Sequence, residues 1–319
     1  MTTLNTFQCS LPRPVTLLRV VGKDAGKFLH NFCTNHIERL RHGEGCEAFA
    51  CDAKGRILFH WTLAFLDQTY WVAAAADVQD RLFAHLDRYH FREELTLEDL
   101  SSTWSELLLL GDPSSFLPQL ASLQAVLPPL MYSAASTQVQ GETIYVQRLP
   151  IFGADVCHLY GSEKVIREIS ASVPDSIVRV MDSELEIRRI IMGWPKHQKD
   201  YDERTIPQEL DRNDVAISFN KGCYIGQETV ARLDALGQVQ RKLVGFQFQS
   251  ELSELPWVIK QDDKEIATIT SAAVLPGTRQ GIGLGFARRS HFSAGTRLGP
   301  AEQPITVTSF PIPINTSGS

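Results

Sequence analysis

The sequence has little that would place the protein in a membrane or on nucleic acid. No apolar run in its 319 residues approaches the roughly 18 residues that a transmembrane helix requires. Segment 1–7 lacks the basic stretch and apolar core of a secretory signal. The formal charge of −6 at pH 7 argues against broad, nonspecific nucleic-acid binding. We therefore expect a cytoplasmic protein with no membrane partner and no nucleic-acid partner.

Cysteine is also sparse for a chain of this length. The six cysteines are scattered, without the dense framework of a small disulfide-stapled domain. Neither segment 33–36 nor the Cys46/Cys51 pair has the ligand spacing of a zinc or ferredoxin site. We expect free thiols and no resident metal. The cysteines are Cys9, Cys33, Cys46, Cys51, Cys157 and Cys223.

Length and composition describe an ordinary globular protein with more than one core. The chain is 43% hydrophobic and 21% charged, and its length favours two or three domains. Strand and helix patterns alternate through residues 1–238, which predicts two interleaved α+β subdomains. Short apolar segments separated by turns follow in 239–319 and predict a small β-barrel or sandwich. No short solenoid repeat is present.

Local periodicity locates the elements. Helices are predicted over 24–30, 77–89, 162–172 and 183–192, and strands over 15–21, 46–51, 56–66, 144–148, 154–160, 243–248, 265–271, 281–287 and 305–307. Segment 107–129 is rich in leucine and is interrupted by glycine and prolines, which predicts a strand, a short helix and loops. Asp24 is a candidate N-cap, and the last residues, 311–319, are expected to fray.

The most informative segment is the octet KGCYIGQE at residues 221–228. Its two glycines allow a tight turn, and a helix is predicted to begin near Gly226. Cys223 then precedes the helix, where exposed amides and the helix dipole favour an anion. With positive charge from Lys221 and Arg232, we expect a thiol of lowered pKa and a reactive thiolate.

The alternative is a turn whose glycines allow close packing. In that interpretation Cys223 is a small buried apolar residue with no chemistry.

The residues around the octet favour the first of these interpretations, in which Cys223 is reactive. Ile-Pro-Gln-Glu at 206–209, Ile-Ser-Phe at 217–219, the octet, and then Arg232, Gly237 and Arg241 together resemble the YgfZ family of folate-binding proteins. Weaker similarities lie at 20–35, 51–57, 269–271 and 281–289, so the resemblance covers most of the chain. The family is related to the glycine-cleavage aminomethyltransferase and is associated with iron–sulfur cluster assembly and repair. The resemblance implies three domains in a ring around a folate-sized cavity.

A reduced folate presents N–H donors on its pterin edge, an aromatic middle and a glutamate tail. Glu209 is a candidate partner for the pterin, and Tyr224 and Trp194 are candidate walls. Arg232 and Arg241 are candidate partners for the tail carboxylates, and Lys221 supplies a further cation. The expected cofactor is tetrahydrofolate or a derivative.

Two departures from the relatives bear on activity. Ile191 stands where many relatives carry a carboxylate that holds the pterin, so another acid would have to substitute for it. Phe59 and His60 stand where aminomethyltransferases carry acidic residues, one of them catalytic, which argues against glycine-cleavage chemistry. His60 is interpreted as a strand residue with a satisfied hydrogen bond, although a histidine there could act as a base.

The resemblance therefore implies a monomeric folate-binding accessory protein that supports iron–sulfur cluster assembly or repair, with Cys223 as the reactive centre and transient contacts to client or assembly proteins. Whether it turns over a substrate stays open. One alternative is a folate-dependent one-carbon transferase or demethylase. The other is a noncatalytic folate-sensing scaffold in which Cys223 only shapes a turn.

Overall fold

Three sheets organise the molecule. The computed structural model describes residues 7–111, 127–236, 239–249, 251–252, 254–300 and 303–314. Within these residues the strands form sheets of six, five and six members, which we number first to third by their position in the chain.

The first sheet combines one early strand with five later ones. Its strands are β1 (Gln8–Cys9), β7 (Trp104–Leu110), β8 (Ala134–Val139), β9 (Glu142–Arg148), β10 (Val156–Ser162) and β11 (Val178–Arg179). The order is β11-β1-β7-β10-β9-β8, antiparallel except for the short parallel pair β1–β11. Because β1 joins this sheet before the chain builds the second sheet, the two α+β units are interleaved.

The second sheet is antiparallel, in the order β3-β4-β5-β2-β6. Its strands are β2 (Thr16–Val21), β3 (Glu44–Cys51), β4 (Ile57–Leu66), β5 (Thr69–Ala74) and β6 (Thr96–Asp99). Helices α1 (Ala25–Asn31) and α2 (Gln79–Asp87), the latter preceded by a 3-10 turn at Ala76–Val78, share a core with it. Apolar residues at helical spacing in α2, Leu82 and Leu86, face that core.

The third sheet holds the strands of the C-terminal part. They are β12 (Arg241–Gln249), β13 (Trp257–Gln261), β14 (Lys264–Val274), β15 (Gln280–Arg288), β16 (Arg297–Leu298) and β17 (Ile305–Thr308). The order is β13-β14-β15-β12-β17-β16, all antiparallel. A register shift between Ile269 and Ser271 marks a bulge in β14, which bends a strand as a small barrel requires.

The remaining helices connect the sheets. They are α3 (Glu163–Ser172), α4 (Asp182–Met192), α5 (Asn213–Ala216) and α6 (Gln227–Leu236), with a 3-10 turn at Pro207–Leu210. One apolar cluster joins the second and third sheets through residues such as Phe49, Ile190 and Leu284. Another joins the first and second sheets through Trp71, Tyr145 and Tyr160. The three sheets thus share cores, and α4 belongs to the cluster between the second and third.

Most predicted elements are confirmed within one to three residues at each end. The strands predicted at 46–51 and 56–66 pair as the expected hairpin, and α6 begins at Gln227 as the octet predicted. Of segment 107–129, residues 112–126 lie outside the described residues. The predicted boundary between 238 and 239 adjoins the undescribed residues 237–238 and stays a prediction.

Two local predictions hold only in part. Asp24 occupies the N-cap position of α1 but makes no side-chain cap bond, because its carboxylate accepts from the Glu94 N–H at 2.7 Å. Ile312, in the segment expected to fray, is buried and donates its N–H to the Ile191 carbonyl at 2.8 Å. Residues 315–319 of that segment lie outside the described residues.

Candidate functional site

Cys223 lies in the turn that precedes α6, and its side chain is exposed. Gly226 makes this turn possible, since it has a φ of 85° and a Cβ there would meet the Asp52 carbonyl oxygen at 2.4 Å. The interpretation of Cys223 as a buried packing residue is therefore wrong. An exposed thiol meets one requirement for reactivity, and its role as a reactive thiolate stays a prediction.

Lys221 anchors this turn to the body of the protein. Its ammonium is buried and donates to the backbone carbonyls of His30 at 2.6 Å and Cys33 at 2.5 Å, at the end of α1. It also lies 4.7 Å from the ring centroid of Tyr224, which is itself buried. Burial lowers the pKa of the Lys221 ammonium. Lys221 and Tyr224 therefore fix the position of the loop that carries Cys223.

Two of the predicted folate ligands bind each other. Arg241 donates from Nε and one terminal nitrogen to the two carboxylate oxygens of Glu209, each at 3.1 Å. The guanidinium also lies 4.3 Å from the ring centroid of Phe286. Arg232 lies on α6 with an exposed side chain. Their roles toward folate stay predictions.

A cavity of about 730 Å³ lies between the first two sheets and α4. Ligand pockets commonly measure about 300–1,000 Å³. Its polar lining includes His60, Glu106, His158, Glu186, Arg189 and Arg13, and its aromatic lining includes Trp61, Phe152, Tyr160 and Trp194. Of the predicted ligands, which all lie in the described part of the chain, Trp194 alone lines this cavity.

His60 enters the cavity wall from β4 as part of a stack. Its ring lies between Phe49, at a centroid distance of 4.7 Å, and Trp194, at 4.5 Å. The other partner of the indole is the guanidinium of Arg212, 4.6 Å from its ring centroid. Such stacked contacts hold the imidazole and the indole in one orientation.

Glu47 holds the other side of His60. It is fully buried, and its carboxylate accepts from His60 Nε2 at 2.8 Å, from the Tyr132 hydroxyl at 2.6 Å and from two nitrogens of Arg212, one of them at 2.6 Å. Although burial opposes ionisation, Arg212 and His60 lower the pKa of the Glu47 carboxyl to about 2. Burial lowers the pKa of His60. His60 is therefore neutral, with its proton on Nε2 and a lone pair on Nδ1.

A second carboxylate–histidine pair comes from the first sheet. His158 Nδ1 on β10 lies 2.6 Å from Glu106 Oε1 on β7, and both side chains are buried. Burial opposes ionisation of Glu106, but His158 and Arg13 lower the pKa of its carboxyl. Three buried nitrogens of the cavity lining, His158 Nε2, Trp61 Nε1 and Arg13 Nε, have no hydrogen-bond partner among the described residues. Buried polar atoms without partners are uncommon.

Arg189 on α4 connects the cavity wall to the third sheet. It donates to Glu186, to the buried carboxylate of Asp200 at 2.7 Å and to the Trp194 carbonyl at 2.6 Å. Ser271 of β14 donates to the same Asp200 carboxylate at 2.7 Å. This network fixes the backbone at Trp194 and so positions the indole against His60.

Trp194 was predicted as a wall of the site and lines the cavity, whereas the two histidine–glutamate pairs were not predicted. His60 was interpreted as an ordinary strand residue, and its hydrogen bond is indeed satisfied on one side. The burial of Glu106 could have been predicted, because it directly precedes four leucines of a strand. A buried acid needs a partner, so a paired carboxylate was to be expected there. His158 carried no signal of its own, since its partner lies 52 residues away.

The described residues contain no cluster of three or more His, Cys, Asp or Glu side chains suited to hold a metal ion. Among the same residues, no helix has the length and apolar character needed to cross a membrane.

Comparison with known proteins places these features in context. The family model of the GCVT N-terminal domain matches residues 14–221. The solved structure of the glycine cleavage system aminomethyltransferase T from Bartonella henselae superimposes with a TM-score of 0.83, at 18% identity over 96% of this chain and 86% of that one. The fold is therefore the three-domain aminomethyltransferase fold with a C-terminal small β-barrel.

Curated relatives include iron–sulfur cluster assembly factors and aminomethyltransferases. An "iron-sulfur cluster assembly factor IBA57 homolog, mitochondrial" from Neurospora crassa is 25% identical over 249 residues, which is 72% of this chain and 51% of that protein. An aminomethyltransferase from Halothermothrix orenii is 24% identical over 287 residues, 88% of this chain and 79% of that protein. The chain thus spans about half the length of the Neurospora relative.

Proposed function

The chain belongs to the GCVT N-terminal domain family, and on that premise we propose that it is a folate-binding accessory protein for iron–sulfur cluster assembly or repair, with Cys223 as its reactive centre. Relatives named as iron–sulfur cluster assembly factors support the cluster role. The observation that carries the folate role is the cavity between the first two sheets, whose lining keeps buried nitrogens without partners.

The lining of the cavity fits a reduced folate. Trp194, whose ring contacts His60 and Arg212, belongs to the lining, and Phe152 and Tyr160 add further rings. Arg13, Trp61 and His158 each belong to the lining and each keep a buried nitrogen without a hydrogen-bond partner among the described residues. Tetrahydrofolate would supply a one-carbon carrier at this place, and these residues would bind and orient it.

Cys223 acts, in this proposal, as a single and transient ligand to cluster iron. Its exposure lets a client reach the sulfur, while Lys221 and Gly226 hold the loop in place. In this proposal the cluster is cargo that the thiol contacts and releases.

One observation favours the transferase or demethylase alternative. His60 Nδ1 is an imidazole lone pair in the cavity wall, held by the ionised Glu47, and such a group can accept a proton from a substrate amine. Production of a methylene-folate from an amine substrate, lost in a His60→Gln variant, would support this alternative over the accessory role.

The test of the proposed function is reactivation of an iron–sulfur enzyme with a damaged cluster, run anaerobically with tetrahydrofolate, iron and sulfide. We expect wild-type protein to accelerate reactivation and Cys223→Ser to lose that effect while keeping its far-UV circular dichroism. Cys46→Ser, which changes a half-buried thiol outside the loop, is the matched control and should retain activity. Full activity in the Cys223→Ser protein would contradict the proposed role of the thiol.

A further inference from the structure

Gly222, which directly precedes Cys223, is not required by the backbone. Its φ lies outside the positive range that favours glycine, and among the described residues a Cβ there would meet only His30 Nε2, at 3.5 Å. That distance is an ordinary van der Waals contact, so an alanine would fit. The absence of a side chain therefore has one consequence, which is that the imidazole nitrogen of His30 stays uncovered next to the loop that carries the thiol.

The imidazole of His30 lacks the hydrogen bonds that a buried histidine normally makes. The residue lies in the last turn of α1 and is only 4% exposed. Its Nδ1 has no partner among the described residues, and its Nε2 lies 3.8 Å from Glu38 Oε2, which is too far for a hydrogen bond. An apolar side chain would fill this place at lower cost, so the nitrogens of His30 need another explanation.

The imidazole and the loop are held on the same support. The ring of His36 packs edge to face against that of His30, with 4.6 Å between the centroids. The backbone of α1 binds the loop directly, since Lys221 donates to the His30 carbonyl at 2.6 Å and the Ile225 N–H donates to the Asn31 carbonyl at 3.3 Å. The end of α1 therefore fixes both the ring and the two sides of the Cys223 turn, as a preorganised site requires.

The thiol is available to form a pair with this nitrogen. Cys223 is exposed, and its sulfur makes no hydrogen bond among the described residues. A tetrahedral ion bound about 2.3 Å from sulfur and about 2.1 Å from nitrogen holds the two ligand atoms about 3.6 Å apart. The backbone next to Cys223 passes within a single side chain of His30 Nε2, which is the spacing that such an ion needs.

Sulfur and imidazole nitrogen select the kind of ion. Thiolate and imidazole bind ferrous iron, zinc and related ions, whereas magnesium and calcium prefer oxygen ligands. A neutral imidazole, the usual form at pH 7, has a lone pair for an ion. The Glu38 carboxylate and the thiolate supply negative charge that offsets the buried Lys221 ammonium nearby. The pair is therefore suited to a thiophilic divalent ion.

We propose that His30 is a nitrogen ligand, beside the Cys223 sulfur, for a thiophilic divalent ion such as ferrous iron, and that Gly222 keeps this nitrogen accessible. The ion replaces the proton of the thiol, which leaves to solvent, and nothing is oxidised or reduced. Two protein ligands leave coordination positions open for the thiolates of a client. This inference rests on the proposed role of Cys223 as an iron ligand, and it gives the sulfur a partner on α1.

Anaerobic titration of the full-length protein with Co²⁺, a spectroscopic stand-in for ferrous iron, tests the pair. We expect the wild type to develop a thiolate-to-cobalt charge-transfer band, which Cys223→Ser should lack. His30→Asn should keep the band but raise the dissociation constant for Co²⁺ about tenfold or more, because one of the two protein ligands is gone. Gly222→Ala should weaken binding in the same way, because its methyl group covers Nε2.

Two controls accompany these variants. His42→Asn removes an imidazole whose side chain is 65% exposed in another part of the chain, and it should leave the dissociation constant for Co²⁺ unchanged. Far-UV circular dichroism shows whether each variant is folded. Gly222→Ala keeps the test decisive if His30→Asn does not fold, since position 222 accepts a Cβ without strain.

The outcomes separate this inference from the proposed function. Equal Co²⁺ affinity in the wild type and in Gly222→Ala or His30→Asn would overturn the pair, as would a folded wild type without the charge-transfer band. A loss in His42→Asn as large as that in His30→Asn would also overturn it, because the binding would then be adventitious. Cluster reactivation that needs Cys223 but not His30 would leave the proposed function standing without the pair. Cobalt binding by the pair with full reactivation in Cys223→Ser would contradict the proposed function and keep the ion site.

Discussion

Replacing Arg212 by methionine should reveal how the buried Glu47 charge is stabilised. The guanidinium makes two hydrogen bonds to a carboxylate with no solvent exposure, and its removal leaves that charge with only His60 and Tyr132 as partners. Removing one member of a buried ion pair costs about 3–5 kcal/mol. The lost contact with the Trp194 ring adds to this destabilisation at pH 7.

The stability difference between the variant and the wild type should depend on pH in a definite direction. In the wild type the pKa of Glu47 is lowered to about 2 from the ordinary 4.5. At about 1.4 kcal/mol for each pKa unit, this carboxylate contributes about 3 kcal/mol of stability, present above pH 5 and lost as the pH falls toward 2. Without Arg212, burial should raise the pKa of Glu47 above 4.5, so the difference between variant and wild type should shrink from pH 7 to pH 5.

Urea unfolding of both proteins at pH 7 and pH 5 measures these differences. The matched control is Arg241→Met, which breaks a pair whose arginine side chain is 42% exposed and should cost less than about 1 kcal/mol at either pH. Adding Glu47→Gln to Arg212→Met should recover part of the loss. A loss no larger than that of Arg241→Met, or one independent of pH, would show that Arg212 is not needed to stabilise the Glu47 charge.

Three further predictions concern the loop and the cavity. Gly226→Ala should lower the thermal midpoint and change the alkylation rate of Cys223, because the added Cβ would meet the Asp52 carbonyl. In the control Gly277→Ala, the glycine has a similar φ of 72° but open space around it, so the loss of stability should be only about 1 kcal/mol. Equal losses in the two variants would show that the contact with Asp52 does not matter. Lys221→Met should destabilise the protein by about 2–3 kcal/mol in urea unfolding, since two carbonyls lose their donor, and unchanged stability would show that the anchor is unimportant. Trp194→Ala should weaken tetrahydrofolate binding at least tenfold in calorimetry, and unchanged affinity would remove the indole from the site.

The sequence was sufficient for the fold because its local signals agree. Apolar alternation, turn residues and the octet place β3, β4 and α6 nearly to the residue. Family motifs then supplied the arrangement of the three sheets, which periodicity alone cannot provide. Asp24 shows the limit of local rules, since a tertiary partner, the Glu94 N–H, takes the side chain that capping chemistry would use.

The site was harder to predict because its partners are distant in sequence. Glu47 and Arg212 are 165 residues apart, and Glu106 and His158 are 52 apart and in different strands. Glu209 and Arg241 were predicted as folate ligands, a role that stays a prediction, and the structure shows that they bind each other. The opposite charges of these two residues could have suggested that they pair. The residues that line the cavity could not be predicted in this way, because only the folded chain brings them together.

The most direct test of the account is anaerobic calorimetry of the wild-type protein with tetrahydrofolate. We expect saturable binding of one ligand per chain, competed by 6-methyltetrahydropterin, because the cavity has the volume and the aromatic lining of a ligand pocket. The absence of binding by folded protein would contradict it.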